Sequence, residues 1–186
     1  MKLYIKNMVC DRCKMVVKSE LENMGIFPVS VELGEVELAE DFKGNEKQDF
    51  EKKLQLLGFE LLEDKTTITV ERIKCLIVDL VHHQDIELKT NLSNYLSEQF
   101  LQDYNTLSNL FSDVHGATIE HYFISQKIEK VKELLLYDEL TLSEIAFKLN
   151  YSDVAHLSNQ FKKITGFAPT HFKRLKENRR LQIDGL

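Results

Sequence analysis

Leu107-Ser108-Asn109-Leu110-Phe111 returns fifty residues later as Leu157-Ser158-Asn159-Gln160-Phe161. With that shift, residues 91–121 align with 141–171 and nine of the 31 pairs are identical, among them Leu92/Leu142, Asp103/Asp153, Gly116/Gly166 and His121/His171. Chance matching at this composition gives about two or three identities, so one structural unit occurs twice. The second copy opens on Thr141-Leu142-Ser143-Glu144, the spacing of a capping box. Leu142, Ile145, Ala146 and Leu149 then share one helical face, and Asn150 suits the left-handed conformation of a tight turn. A further helix is expected from near Ser152, burying Val154, Leu157, Phe161 and Ile164, stopped by Gly166 and followed by a new start at Pro169. Two short helices around a turn of three or four residues make a helix-turn-helix.

The first copy repeats the apolar positions as Leu92, Tyr95, Leu96, Leu107, Phe111 and Val114, with Phe100 and Leu101 in place of Asn150 and Tyr151. Between the copies, Ile119 to Tyr137 lacks Gly and Pro and carries the stripe Ile124, Ile128, Val131, Leu134, Leu135. A helix of that length spans about 27 Å. That suffices to set two such units about one DNA turn, roughly 34 Å, apart.

Charge is distributed unevenly. The 186 residues sum to −6, yet 148–186 hold eight cations (Lys148, Lys162, Lys163, Lys173, Arg174, Lys176, Arg179, Arg180) against Asp153, Glu177 and Asp184, leaving the rest at −11. An acidic body with a basic end suits a protein whose end meets nucleic acid. Two helix-turn-helix units, the helix between them and the ending Asn159-Gln160-Phe161-Lys162-Lys163-Ile164-Thr165-Gly166-Phe167-Ala168-Pro169-Thr170-His171-Phe172-Lys173 resemble the DNA-binding domain of the AraC/XylS family over about residues 75–180. The resemblance implies a bacterial transcription regulator whose paired units enter successive major grooves of double-stranded DNA, with RNA polymerase and a second copy of the chain as further partners. That family often has Arg where Asn109, Asn159 and Lys127 stand, which implies modest electrostatic affinity here. The outward residues expected to face DNA are Asn105, Thr106, Ser108, Asn109 and Ser112 in the first copy. In the second they are Ser152, Asp153, His156, Asn159, Lys162 and Lys163. Most contacts of such helices go to phosphates.

The N-terminal third follows a different period. Lys2–Lys6 alternates as a strand, and Met15, Val16, Leu21 and Met24 mark a helix ending at Gly25. Ile26–Leu33, with Val29, Val31 and Leu33 alternating, and Glu35–Glu40 read as strands around a turn at Gly34. Phe50, Leu54 and Leu57 mark a helix stopped by Gly58, and Phe59–Leu62 a last strand. The order β-α-β-β-α-β is ferredoxin-like, so the fold class is α+β: this domain at 1–65, then an all-α double helix-turn-helix domain at 66–186. A fragment starting near Thr66 is then expected to fold alone.

Met8-Val9-Cys10-Asp11-Arg12-Cys13 lies between the first strand and helix. It resembles the Gly-Met-x-Cys-x-x-Cys motif of the heavy-metal-associated domain, with Asn7 in place of the Gly and Gly58-Phe59 matching a second family feature, over about residues 1–64. Cys10 and Cys13 are the candidate metal ligands. Two thiolates suit Cu(I), whereas Zn(II) wants four ligands and would recruit Asp11, water or a second chain; DNA binding itself requires no cofactor. The competing readings of this Cys-x-x-Cys are a loop that holds no metal and a thiol redox pair. Cys75 reads as a buried core thiol, His82-His83 as a solvated helix end, and His121 and His171 as packing residues.

Hydrophobic residues at 43% build cores, and no apolar run reaches the length of a bilayer span. The N-terminus shows no signal peptide, and three cysteines fit a reducing compartment, so a cytoplasmic location with no membrane partner is expected. With 7 Gly and no nucleophile-base arrangement, phosphate loop or paired carboxylates, no enzyme is expected. The alternative to a regulator is a soluble metal carrier or protein-interaction module whose helical half docks a protein partner.

Overall fold

The computed structural model describes residues 1–83 and 91–175. Strand β1 (Lys2–Lys6) leads into α1 (Asp11–Asn23), followed by β2 (Pro28–Glu32), β3 (Glu35–Leu38), α2 (Glu46–Leu56) and β4 (Glu60–Leu62). The four strands form one antiparallel sheet in the order β2-β3-β1-β4. Alternation does the sorting: Leu3, Ile5, Val36 and Leu38 turn to one face and close a core with Val17 and Leu21 of α1 and Phe50 and Leu54 of α2. The expected alternation of β2 fails at Val29, which is 64% exposed. A register irregularity between Pro28 and Ser30 turns Val29 away, while Val31 and Leu33 still pack against the core. Leu57, expected in the second helix, is instead its half-exposed cap.

No spacer follows the sheet. Asp64 caps α3 (Lys65–Val78) by accepting the backbone N–H of Thr67 at 2.7 Å. A π-helical turn, Asp79–His83, continues it. Here His82 departs from expectation: it is half-buried and hydrogen-bonded to Gln126 at 3.2 Å, with Glu133 3.8 Å away, rather than a solvated end. Burial holds it below the usual histidine range, against the raising influence of Gln126 and Glu133.

The remaining elements are α4 (Leu92–Phe100), α5 (Tyr104–His115), α6 (Ile119–Tyr137), α7 (Leu142–Lys148) and α8 (Val154–Thr165), with a helix resuming at 169–175. None of the described helices is long and apolar enough to cross a membrane. The chain packs as two compact units. One holds Met1–Asp79 and the first copy to Thr118; the other holds the described residues from Leu80 to His83 and from Ile119 onward. These units cut across the sequence division at 65/66, because α3 and the first copy pack in one unit with the sheet.

Candidate nucleic-acid interface and the paired cysteines

Within the second unit, Ile128, Val131 and Leu135 of α6 pack with Ile145, Ala146 and Leu149 of α7 and with Tyr151, Leu157 and Phe161. The capping box forms: Thr141 Oγ1 accepts the N–H of Glu144 at 3.3 Å, and Glu144 accepts that of Thr141 at 2.7 Å. Asn150 is left-handed at φ 53°, and the N–H of Tyr151 reaches the carbonyl of Ala146 at 2.9 Å, closing the helix end. Asp153, rather than Ser152, caps α8, accepting the N–H of His156 at 2.7 Å, and Gly166 ends it at φ 81°.

This packing leaves one face of α8 in solvent. Ser152, Asp153, His156, Asn159, Lys162 and Lys163 are all exposed, while Leu157 and Phe161 are fully buried. Three of these residues are tied together: Ser152 Oγ lies 3.1 Å from His156 Nδ1, and Asp153 spends a carboxylate oxygen on the cap. The side chains of Asn159, Lys162 and Lys163 form no hydrogen bond or ion pair among the described residues, and both ammonium groups stand at the last turn. Ile164, expected in the core, lies at its edge and is 36% exposed.

The first unit presents α5 in the same manner. Asp103 caps it by accepting the N–H of Asn105 at 2.9 Å, Gly116 ends it at φ 76°, and Leu107 and Phe111 are buried. From 104 to 111 the sequence of buried, intermediate and exposed positions is identical to that of 154 to 161. Asn105, Thr106 and Asn109 are exposed; Ser108 and Ser112 are half-covered. Val114, expected in the core, is 45% exposed at the last turn. No Lys or Arg occurs on α5. Of the basic end, Lys162, Lys163, Lys173 and Arg174 are described; Lys176, Glu177, Arg179, Arg180 and Asp184 lie outside the described residues.

Near the turns stand Lys127, singled out in the sequence only as a departure from the resembled family, and Arg72, which no sequence signal marked. Lys127 of α6 places its ammonium 3.9 Å from the centre of the Tyr151 ring and 5.6 Å from that of Phe123. Arg72 of α3 lies 5.1 Å from the Phe100 ring at the end of α4, 6.0 Å from Tyr4, and 3.8 Å from the Glu35 carboxylate. Pairs so far apart in sequence leave no periodic signal.

The cysteine pair sits at the start of α1, with Cys10 at the N-cap and the sulfurs 3.5 Å apart. Cys10 is drawn below the ordinary thiol range, foremost by the backbone N–H of Cys13, then by the Cys13 side chain and by Arg12. Asn7 adopts the left-handed conformation (φ 72°) that the motif's Gly would take freely, and its amide donates to the Gly58 carbonyl at 3.0 Å. Cys75 is buried, as expected, and burial pushes its thiol up to about 12. Its sulfur donates to the Met8 carbonyl at 3.8 Å and lies where a Cβ on Gly34 would come within 2.8 Å. No group of three or more His, Cys, Asp or Glu side chains among the described residues could hold a metal ion.

Residues 96–175 match the family model of a helix-turn-helix domain. A stretch of 125 residues is 24% identical to the HTH-type transcriptional activator RhaS of Escherichia coli, covering 67% of this chain and 44% of that protein. The C-terminal domain of AraT, a response regulator from Geobacillus stearothermophilus, superposes with a TM-score of 0.51 at 26% identity, covering 60% of this chain and 88% of that one. The DNA-binding domain of AdpA, solved with a target DNA, shares the fold at 17% identity and TM-score 0.51, over 61% of this chain and 97% of that one. The chain spans less than half the length of curated relatives such as RhaS.

Proposed function

We propose that the chain, whose residues 96–175 match a helix-turn-helix domain, is a bacterial, cytoplasmic, non-catalytic transcription regulator with an AraC-type DNA-binding domain. In this reading α5 and α8 are its recognition helices. The observation that carries it is the duplicated unit, whose two copies expose the same helical face. The first copy offers Asn105, Thr106, Ser108, Asn109 and Ser112; the second offers Ser152, Asp153, His156, Asn159, Lys162 and Lys163. Asn can bond adenine in bidentate fashion, while Lys162 and Lys163 suit phosphates. RNA polymerase and a second copy of the chain are the further partners of this proposal. Selection from randomised double-stranded DNA with the purified chain is the test. A regulator enriches a defined motif and loses affinity steeply as salt rises. A metal carrier or protein-docking module enriches none.

The finer part of the proposal concerns the first 65 residues, read as a ferredoxin-like, heavy-metal-associated domain. Support comes from the strand order β2-β3-β1-β4 and from two thiols 3.5 Å apart at a helix start. The donor set fits a soft ion that accepts two thiolates, as Cu(I) does. Zn(II) would need ligands from beyond the described residues. Occupancy at Cys10 and Cys13 has a route to the first helix-turn-helix within one compact unit. Met8, two residues before Cys10, touches Cys75 of α3, and one turn earlier on α3 Arg72 spans Tyr4, Glu35 and Phe100. Coupling requires a differential metal affinity between DNA-bound and free states, typically 1–3 kcal/mol, and it is reciprocal. Titrations of Cu(I) and Zn(II) in reducing buffer, with and without the selected DNA, measure it. Coincident curves, or unchanged metal response in Cys10→Ser/Cys13→Ser, reject metal control and leave the DNA reading standing.

A further inference from the structure

Tyr151 is the hub of the second helix-turn-helix. Its backbone closes the end of α7, and the residue is 8% exposed. Its hydroxyl donates to Gln160 Oε1 at 2.7 Å, halfway along α8. The His156 ring meets it edge-on, with centroids 5.3 Å apart at 86°. Below it, Lys127 from α6 rests its ammonium 3.9 Å from the ring centre. Among the described residues Lys127 forms no ion pair, and burial alone holds it down to about 8. A half-buried ammonium without a carboxylate is costly unless an aromatic face replaces part of its hydration. The first copy lacks the set: Leu101, Thr106 and Leu110 occupy the places of Tyr151, His156 and Gln160.

We propose that Lys127 is a positioning residue for base selection by the second recognition helix, acting through the Tyr151 ring on His156 and Gln160. The ring links the connecting helix to two successive turns of α8. Orientation of the exposed His156 edge therefore depends on how firmly Tyr151 is seated, and the Lys127 charge seats it. A neutral side chain of the same length fills the space without that directional attraction. The inference rests on α8 being a recognition helix.

The test is DNA selection with the full chain and four variants: Lys127→Met, Lys127→Arg, Tyr151→Phe and His156→Ala. Lys127→Met should reduce discrimination at the bases sensitive to His156→Ala by about fivefold, the size expected of a cation-ring contact that keeps part of its hydration. Its salt dependence and its affinity for unrelated DNA should stay at the parent values. Lys127→Arg should restore discrimination, because a guanidinium also stacks on an aromatic face. Tyr151→Phe, which keeps ring and cation but loses the Gln160 bond, should broaden preference at the same bases by a smaller factor. Should Lys127→Met fail to fold, Lys127→Gln carries the same expectation. A changed preference in His156→Ala with parental preference in Lys127→Met overturns the positioning role alone. A uniform loss across all sequences in Lys127→Met also overturns it, making Lys127 an electrostatic contact. Parental preference in His156→Ala overturns the recognition-helix reading and this inference with it.

Discussion

The two helix-turn-helix copies share the burial pattern, the Asp cap and the Gly stop of their outer helices, and differ in what surrounds them. The second rests on its own core of α6, α7 and α8, opens with a capping box, turns on Asn150 and ends its outer helix with Lys162 and Lys163. The first shares a compact unit with a four-stranded sheet, turns on a left-handed Leu101 and carries no Lys or Arg on α5. Each turn nevertheless has an aromatic ring under a cation from the long helix before it. Lys127 faces Tyr151 and Phe123, whereas Arg72 faces Phe100 and also two residues of the sheet. A duplicated scaffold can thus divide its work: the proposal gives the electrostatic grip to the second copy and the N-terminal input to the first.

The sharpest way to break that comparison is electrostatic. Lys162→Ala/Lys163→Ala should weaken binding to every sequence and lower the slope of log affinity against log salt by about two, roughly one for each phosphate no longer neutralised. Asn105→Ala/Asn109→Ala should leave that slope unchanged and alter only sequence preference. Equal slopes in the two variants would remove the division. Truncation comes next. Packing revises the expectation that a fragment from Thr66 folds whole, because Cys75 and Arg72 would lose their partners at Met8, Gly34, Tyr4 and Glu35. Hydrogen exchange on such a fragment should show reduced protection in α4 and α5 and retained protection in α7 and α8. Uniform protection would show that the sheet is dispensable to the first copy.

Much of the second copy was legible because its signals are local. Capping residues, a three- and four-residue apolar spacing and Gly166 fall within thirty residues, and the Ile119–Tyr137 helix has the bounds expected of it. The first copy was legible as a repeat but not in its surroundings. Arg72 and Phe100 are 28 residues apart and Met8 and Cys75 are 67, and no periodicity announces such pairs. Val29 misled because strict alternation hides an extra residue in the strand. The environment of His82 was equally hidden, because a π-helical turn re-aims a side chain at the end of an otherwise regular apolar run.

Smaller effects sharpen the contrast between the turns. Thr141→Ala should cost the second copy about 1 kcal/mol, as for any missing N-cap, read by urea denaturation. Leu101 is 91% exposed at φ 52°, a conformation that costs a branched residue about 1–2 kcal/mol. Leu101→Gly should therefore raise the melting temperature of the first unit, whereas Asn150→Gly should move the second only slightly. A pH effect belongs to the second turn as well. The Lys127 ammonium is held down to about 8 from an ordinary value of 10.5, so the unfolded chain binds more protons between those values. Its contribution to stability therefore rises with pH across that window. Above pH 10 the Tyr151 hydroxyl, pushed up to about 12 by burial, acts in the opposite direction. Lys127→Met should flatten the rise between pH 8 and 10, measured by chemical denaturation of the parent and variant in parallel.

Hydroxyl-radical footprinting of the selected DNA tests paired recognition most directly. Two helix-turn-helix units reading successive major grooves should protect two patches on one face of the duplex, about ten base pairs apart. Lys162→Ala/Lys163→Ala should fade one patch before the other as salt rises. A single protected patch, or two that fade together, would contradict the division of work between the copies.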